Sequence, residues 1–445
     1  MQKLKINENG RYLETEDGEP FFWMGDTAWE LIHRLNREEA DLYFRTRHDQ
    51  GFNVVQTVVL GELDGLRTCN AYGELPFRSL DTLEPNEAYF AHVDRIVELA
   101  HRYGIYLALL PTWGDKLIEP GAGPRIFSPC YEDQGLESAC RRAFVYGEWL
   151  GSRYGNWPHL VWVLGGDRDL DKEHDPDGSL KEVVRAMARG LDRGDGGRHL
   201  TTYHVCRSSS LYFHEESWLD FNMSGSYHFA YDQESCYQYT ERDYALVPVK
   251  PTLDAEPRYE DHPVNWEPVN GYFDDYDVRQ SAYWSVFAGA CGHTYGCHAV
   301  WQMYDEGRKP EASPRRYWKE ALGMPGANQM KHLRRLVESR PLAGRRPDQT
   351  VLTDPLTGGA HIRALLGDGY LWAYTPHGKP VGLHADKLVG VYRYAGWYSP
   401  RDGSIQPIVP FPANGAAEFQ PPSSGRGHDW VLWLDTVPLT GGANG

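Results

Sequence analysis

Leu160-Val161-Trp162-Val163-Leu164 is an unbroken apolar run that stops at two glycines and a carboxylate, Gly165-Gly166-Asp167. A strand written this way offers water no polar face, so both faces must be covered, as in a parallel sheet clothed by helices. The design recurs at Phe21 to Asp26, Val54 to Leu60, Ile105 to Leu110, His199 to His204, Leu219 to Met223, Val247 to Glu256 and Gly289 to Val300. Helix signals lie between these runs. Asn36 with Glu39 opens one helix and Gly51 closes it. Apolar residues at 89, 93, 96, 97 and 100 mark a second, ended by Gly104. Residues 136 to 155 have helical composition, Ser179 to Glu182 reads as a capping box, and Asp277 to Ala288 reads as another helix. Strands alternating with helices in this way predict a (β/α)8 TIM barrel rather than an open sheet.

The barrel is expected to occupy residues 1–342, with a short hairpin around Glu16-Asp17-Gly18 ahead of it. From Leu342 the texture changes to short alternating segments, Gly369 to Tyr374, Val389 to Tyr394 and Trp430 to Leu434, separated by glycine and proline. That pattern predicts a small all-β sandwich over residues 343–445. A chain of 445 residues is also longer than one ordinary core sustains.

A formal net charge of −17 excludes nucleic acid and anionic membrane surfaces as partners, because both would repel the chain. Seven cysteines without framework spacing read as reduced thiols. No apolar stretch approaches the roughly 20 residues that span a bilayer. The N-terminus lacks the apolar core of a signal peptide, so the expectation is a cytoplasmic location or a start after a removed signal. Nothing in the sequence fixes an oligomeric state.

Strand ends at the carboxyl side are where barrels do chemistry. Asp167 ends the fourth strand and Glu256 the seventh, held extended by Pro257. Two carboxylates on two strand ends suggest glycoside hydrolysis, one protonating the leaving oxygen and the other attacking or activating water. The plainer alternative for Asp167 is a helix cap or a salt bridge. Glu256 has rivals in Glu260 and in Asp254, which strand alternation puts on the same face one step deeper. The acidic run from Asp167 to Asp177 never gives Gly at the sixth and Glu at the twelfth position together, so it reads as a solvated loop rather than a calcium site. Cys291, His293 and Cys297 would share a strand face, yet their spacing fits no zinc pattern. No cofactor is implied. Trp29, Trp113 and Trp301 at strand exits are candidate platforms for sugar faces, with core packing the competing use. His204 and His228 are candidate donors to substrate hydroxyls.

Phe21-Phe22-Trp23-Met24-Gly25-Asp26-Thr27-Ala28-Trp29, Trp162 to Asp167, Glu256-Pro257-Arg258-Tyr259-Glu260, His293-Thr294-Tyr295-Gly296 and Trp301-Gln302 together resemble the apiosidase-like glycoside hydrolases. Those are TIM barrels built like the retaining clan GH-A, often followed by a collagen-binding-type β-sandwich. The stretch Ala395 to Gly403, with Phe419 to Pro422 and Asp429 to Leu432, is similar to that second domain. The resemblance implies that Asp167 is the acid/base and Glu256 the nucleophile. It also implies that Asp26 and Trp29 lie in the sugar-binding floor, and it adds Tyr295 to the substrate-binding residues. Many clan members carry Asn before the acid/base, where this chain has Gly166. The expected activity is release of a sugar, an apiose-like pentose or another glycosyl residue, from an oligo- or polysaccharide with retention. The carboxylates should then stand about 5 to 5.5 Å apart. A barrel that binds carbohydrate without cleaving it is the contrasting class.

Overall fold

The computed structural model describes residues 1–119, 121, 123–384, 392–409 and 418–439. Eight strands form the barrel: β1 (Trp23–Thr27), β2 (Val54–Val58), β3 (Tyr106–Leu110), β4 (Leu160–Gly165), β5 (Thr201–His204), β6 (Asn222–Gly225), β7 (Thr252–Asp254) and β8 (Gly292–Tyr295). They pair in parallel in the order β5-β4-β3-β2-β1-β8-β7-β6, with Arg207–Ser208 added antiparallel beyond β6. Between β5 and β6 the ring closes through irregular contacts. The Asp220 amide donates to the Thr201 carbonyl at 2.9 Å, and Thr202 Oγ1 to the Phe221 carbonyl at 2.6 Å.

The main helix after each strand is α1 (Arg37–Asp49), α2 (Glu87–Arg102), α3 (Gly135–Tyr154), α4 (Ser179–Asp195), the single turn α5 (Ser210–Phe213), α6 (Ser235–Tyr244), α7 (Asp275–Phe287) and α8 (Pro325–Glu338). Helix α1 carries the expected reciprocal cap between Asn36 and Glu39. The capping box read at Ser179 is not formed: Gly178 precedes the helix, and Asp175 accepts instead from the Leu180 and Lys181 amides. An acidic side chain from the preceding loop thus serves the free amides that a serine would otherwise cap.

Alternation along the strands sorts two apolar layers. Val54, Val58, Ala108, Leu110, Val161, Val163 and Leu253 fill the barrel interior. Met24, Val55, Leu107, Leu109, Trp162 and Leu164 pack outward among the helices. Two strand expectations need correction. The eighth strand is short, ending at Tyr295 before a helical turn at His298–Trp301. Strand β7 ends at Asp254, so the alternation invoked to place Asp254 and Glu256 on one face does not reach Glu256. Cys291 packs into the barrel interior, whereas His293 meets Ser285 of α7 at 3.2 Å, so these two do not share a face either. All seven cysteines are free thiols.

The N-terminal residues form a small three-stranded sheet over the hairpin expected there. After α8, a second sheet runs antiparallel through Arg346–Pro347, Arg363–Gly367, Tyr370–Thr375, Trp430–Asp435, Tyr394–Tyr398 and Ile405–Pro407, in that spatial order. A two-stranded piece, Val381–Gly382 with Glu418–Phe419, packs on it around a core that includes Leu371, Trp397 and Leu432. Of the strand expected from Val389 to Tyr394, residues 389–391 lie outside the described residues, as do 440–445. Helix α7 lies between barrel and sandwich, which is why every residue from Tyr276 to Phe287 is buried although the helix has little amphipathic pattern. Tyr283 stacks on Tyr374 with centroids 4.9 Å apart, and Trp284 Nε1 donates to the His361 carbonyl at 2.9 Å.

Candidate active site

A pocket of about 180 Å³ opens at the carboxyl ends of the barrel strands. It is lined by Trp29 after β1, Glu62 and Leu63 after β2, Trp113 after β3 and Asp167 after β4. Tyr227 and His228 follow β6, Glu256, Tyr259, His262 and Trp266 follow β7, and Trp301, Glu311 and Ala312 follow β8. Its volume falls below the roughly 300–1,000 Å³ of sites for drug-sized ligands, a scale suited to one sugar ring.

Asp167 and Glu256 face this pocket from loops that the sequence shapes tightly. Gly165 and Gly166 have φ of +90° and +116°, and a Cβ on Gly166 would meet the Gly114 amide nitrogen at 2.6 Å and Trp113 Cα at 2.9 Å. An asparagine in front of Asp167 would therefore be strained and obstructed, which explains the departure from the clan pattern at this position. Asp167 itself sits in the left-handed region, φ 60°, where aspartate is tolerated better than most residues. The Cys206 thiol donates to its Oδ1 at 3.1 Å, and Arg168 Nη1 lies 3.4 Å from Oδ2.

Glu256 is held more closely. Tyr259 Oη donates to Oε1 at 2.7 Å, and His228 Nε2 stands 3.7 Å from the same oxygen. His204 Nε2 lies 3.1 Å from the other oxygen, Oε2, which is itself buried. His228 Nδ1 accepts from the Tyr259 amide at 3.3 Å, which puts the ring proton on Nε2, toward Glu256. His262 lies behind His228 with ring centroids 4.1 Å apart and the planes tilted by 31°, and burial holds both histidines below their ordinary pKa.

The two carboxyl groups are pushed in opposite directions. Burial, and then the charge of Glu256, raises Asp167 to about 7. Burial alone would raise Glu256 too, but His204 and His228 beside it outweigh that and bring it to about 2. At intermediate pH one carboxyl holds its proton and the other is ionised, the condition that acid and nucleophile require. The rivals stand elsewhere. Asp254 accepts from Ser226 Oγ at 2.6 Å, and Glu260 from Tyr295 Oη at 2.5 Å and the Gly326 amide at 3.0 Å.

Trp29, Trp113 and His204 form one aromatic cluster, with Trp29 5.0 Å from each of the other two. Trp301 Nε1 donates to His298 Nδ1 at 3.3 Å, which anchors the indole. Trp113 Nε1 and Tyr227 Oη are buried without a hydrogen-bond partner among the described residues. Two expected residues are not brought in. Asp26 points outward from β1 into the helix layer, where it pairs with Arg47 Nε at 2.6 Å and Tyr43 Oη at 2.5 Å. Tyr295 points outward from β8 to Glu260 and packs near Phe52. Strand parity decides both: Gly25 and Thr294 take the inward positions next to them. The acidic run after Asp167 is partly neutralised by Arg207, 2.8 Å from Asp169 and 3.1 Å from Asp171.

Tyr259 and Glu62 were not singled out as site residues from the sequence. Tyr259 lies in the same short motif as Glu256. Glu62 follows the second strand run by two residues, so a carboxylate just past a strand end, the signal used for Asp167, applied to it as well.

A barrel with paired carboxyl groups of opposed acidity at its strand ends defines the class of glycoside hydrolases. The family model "Apiosidase-like, catalytic domain" matches residues 7–344, and the chain belongs to that family. A second, "Putative collagen-binding domain of a collagenase", matches residues 346–435. The chain is similar to a solved structure named glycoside hydrolase, at 32% identity and TM-score 0.86, covering 98% of this chain and 97% of that one. It is similar at 33% identity and TM-score 0.86 to a family 5 glycoside hydrolase from Bacteroides vulgatus ATCC 8482, covering 97% and 93% respectively. A family 5 mannosidase from Rhizomucor miehei, 12% identical with TM-score 0.52 over 74% of this chain and 98% of that one, shares the fold. No curated protein sequence matches the chain.

Proposed function

We propose that the protein is a retaining, exo-acting glycosidase that removes one terminal sugar, an apiose-like pentose or a ring of similar size, with Glu256 as nucleophile and Asp167 as acid/base. The observation that carries this reading is the opposed acidity of two carboxyl groups facing one small pocket. The ionised Glu256 carboxylate attacks the anomeric carbon while protonated Asp167 gives its proton to the leaving oxygen, and a covalent glycosyl-enzyme forms. Esterified Glu256 no longer carries charge. Asp167 thereby loses part of what raised it and can take a proton from the incoming water. The first-formed product should keep the anomeric configuration of the substrate. Proton NMR read before mutarotation decides this, and an inverted anomer would remove Glu256 as nucleophile.

The pH dependence follows from the same pair. Activity requires Asp167 protonated and Glu256 ionised, so kcat/KM should fall as pH rises through about 7, where Asp167 loses its proton. On the acid side it should hold until about 2, where Glu256 gains one. A pH profile over the range in which the fold persists tests this. Activity that keeps climbing from about pH 7 to pH 9 would take Asp167 out of the acid role.

A further inference from the structure

One short segment reaches both carboxyl groups of the pocket. His204 ends β5 with its Nε2 3.1 Å from Glu256 Oε2, and two residues later the Cys206 thiol donates to Asp167 Oδ1 at 3.1 Å. A thiol has a single proton to give, and the other acceptor within its reach, the Asp167 carbonyl, is farther off at 3.8 Å. The segment is fastened to the loop that carries Asp167. The Gly166 amide donates to the His204 carbonyl at 3.0 Å, and Arg207 reaches Asp169 at 2.8 Å and Asp171 at 3.1 Å. Arg207 and Ser208 then pair antiparallel with β6. The backbone of Cys206 is thus pinned on both sides at the distance its thiol needs.

This contact divides the two oxygens of Asp167 between two duties. Arg168 Nη1 gives its short bond, 2.7 Å, to the Asp167 carbonyl and stands 3.4 Å from Oδ2. Oδ1 accepts from the thiol, so Oδ2 is the oxygen that carries the proton. A cysteine suits this position. Burial and the Asp167 charge push its pKa well above the ordinary thiol range, so it remains a donor wherever the site is active. It is also a weak donor. A hydrogen bond to the charged form favours ionisation, and a strong donor here would draw off the proton that an acid must hold. The thiol therefore orients the carboxyl with little loss of its proton affinity. The other groups facing Asp167 are Glu256, whose charge adds to burial in raising its pKa, Arg168 and His204, which lower it, and Glu62, which shares the pocket.

We propose that Cys206 is the positioning residue of the acid/base, its thiol fixing Asp167 Oδ1 and leaving Oδ2 to carry the proton that passes to the leaving group. The inference rests on the glycosidase reading, and its first test needs no turnover. The infrared S–H band that Cys206→Ser removes should move to lower frequency as pH rises through about 7, because a carboxylate accepts more strongly than a carboxylic acid. In Asp167→Asn the band should stay where it is. The second test is kinetic. Cys206→Ala should lower kcat/KM on alkyl glycosides, whose leaving groups depend on an oriented acid, by about tenfold, and on 4-nitrophenyl glycosides by less than about threefold. Its alkaline limb should rise by about half a pH unit, and Cys206→Ser, which keeps a donor, should restore the ratio between the two substrate classes. A change in packing alone would lower both rates together and leave the limb in place. A Cys206 band indifferent to pH, or equal losses on the two classes with an unmoved limb, overturns the proposal. Failure to cleave any glycoside would count instead against the glycosidase reading, and the infrared band would still decide the contact.

Discussion

Glu256→Gln is expected to lower turnover by about a thousandfold or more on every substrate, because an amide cannot form the glycosyl ester. Asp167→Asn should behave differently. It should lose about 10²- to 10⁴-fold on sugar leaving groups, which must be protonated to depart, and much less on 4-nitrophenyl glycosides, whose phenolate leaves unaided. Both variants should fold. Glutamine at 256 still offers an oxygen to Tyr259 Oη, and Asp167 makes no contact that holds core elements together. The stability of Asp167→Asn has a definite sign. The folded protein holds the Asp167 proton to about pH 7 while the unfolded chain releases it near 3.8, so the wild type loses stability as pH rises between these values. Asparagine removes that loss, and the variant should melt no lower than the wild type at pH 8. Near wild-type rates for either variant, measured beside its melt, would remove that residue from the mechanism.

The barrel was legible because each strand carries its burial pattern locally: an apolar run with no polar face needs no tertiary information to be recognised. The same locality limits the reading at the rim. Asp26 and Tyr295 lie in motifs shared with the family, yet which face they take depends on strand phase. A shift of one residue sends a side chain to the helix layer instead of the pocket. Glu256 shows the reverse case. Alternation would have coupled it to Asp254, and it reaches the pocket only because β7 stops at Asp254 and the chain turns. The histidines around Glu256 were candidates without partners, since no spacing in sequence announces that β5, β6 and β7 converge on one carboxylate. Helix α7 was legible as a helix, but not as the element that joins the domains.

That junction carries the second large effect. Asp429, buried at the entry to the Trp430–Asp435 strand, accepts from Arg279 Nη2 at 3.0 Å and Nε at 3.2 Å, and also from Arg401 Nη1 at 3.2 Å. Arg279 is 1% exposed on α7 and is otherwise shared between Asp275 and Gln329. Asp429→Ala would remove two of the four side-chain hydrogen bonds of a buried guanidinium, at a cost of about 3–5 kcal/mol. An exposed pair such as Arg95 with Glu98 contributes only about 0–1 kcal/mol, so Glu98→Ala is the matched control. Asp429→Asn keeps one acceptor and should fall between the two. Because every residue lining the pocket lies between Trp29 and Ala312, the fraction that remains folded should keep its kcat/KM. The expected result is thus a large fall in melting temperature with unaltered catalysis at low temperature. A melt of Asp429→Ala within a degree of the wild type would mean that the sandwich is held by its aromatic contacts with α7, and that the ion pair only sets its orientation.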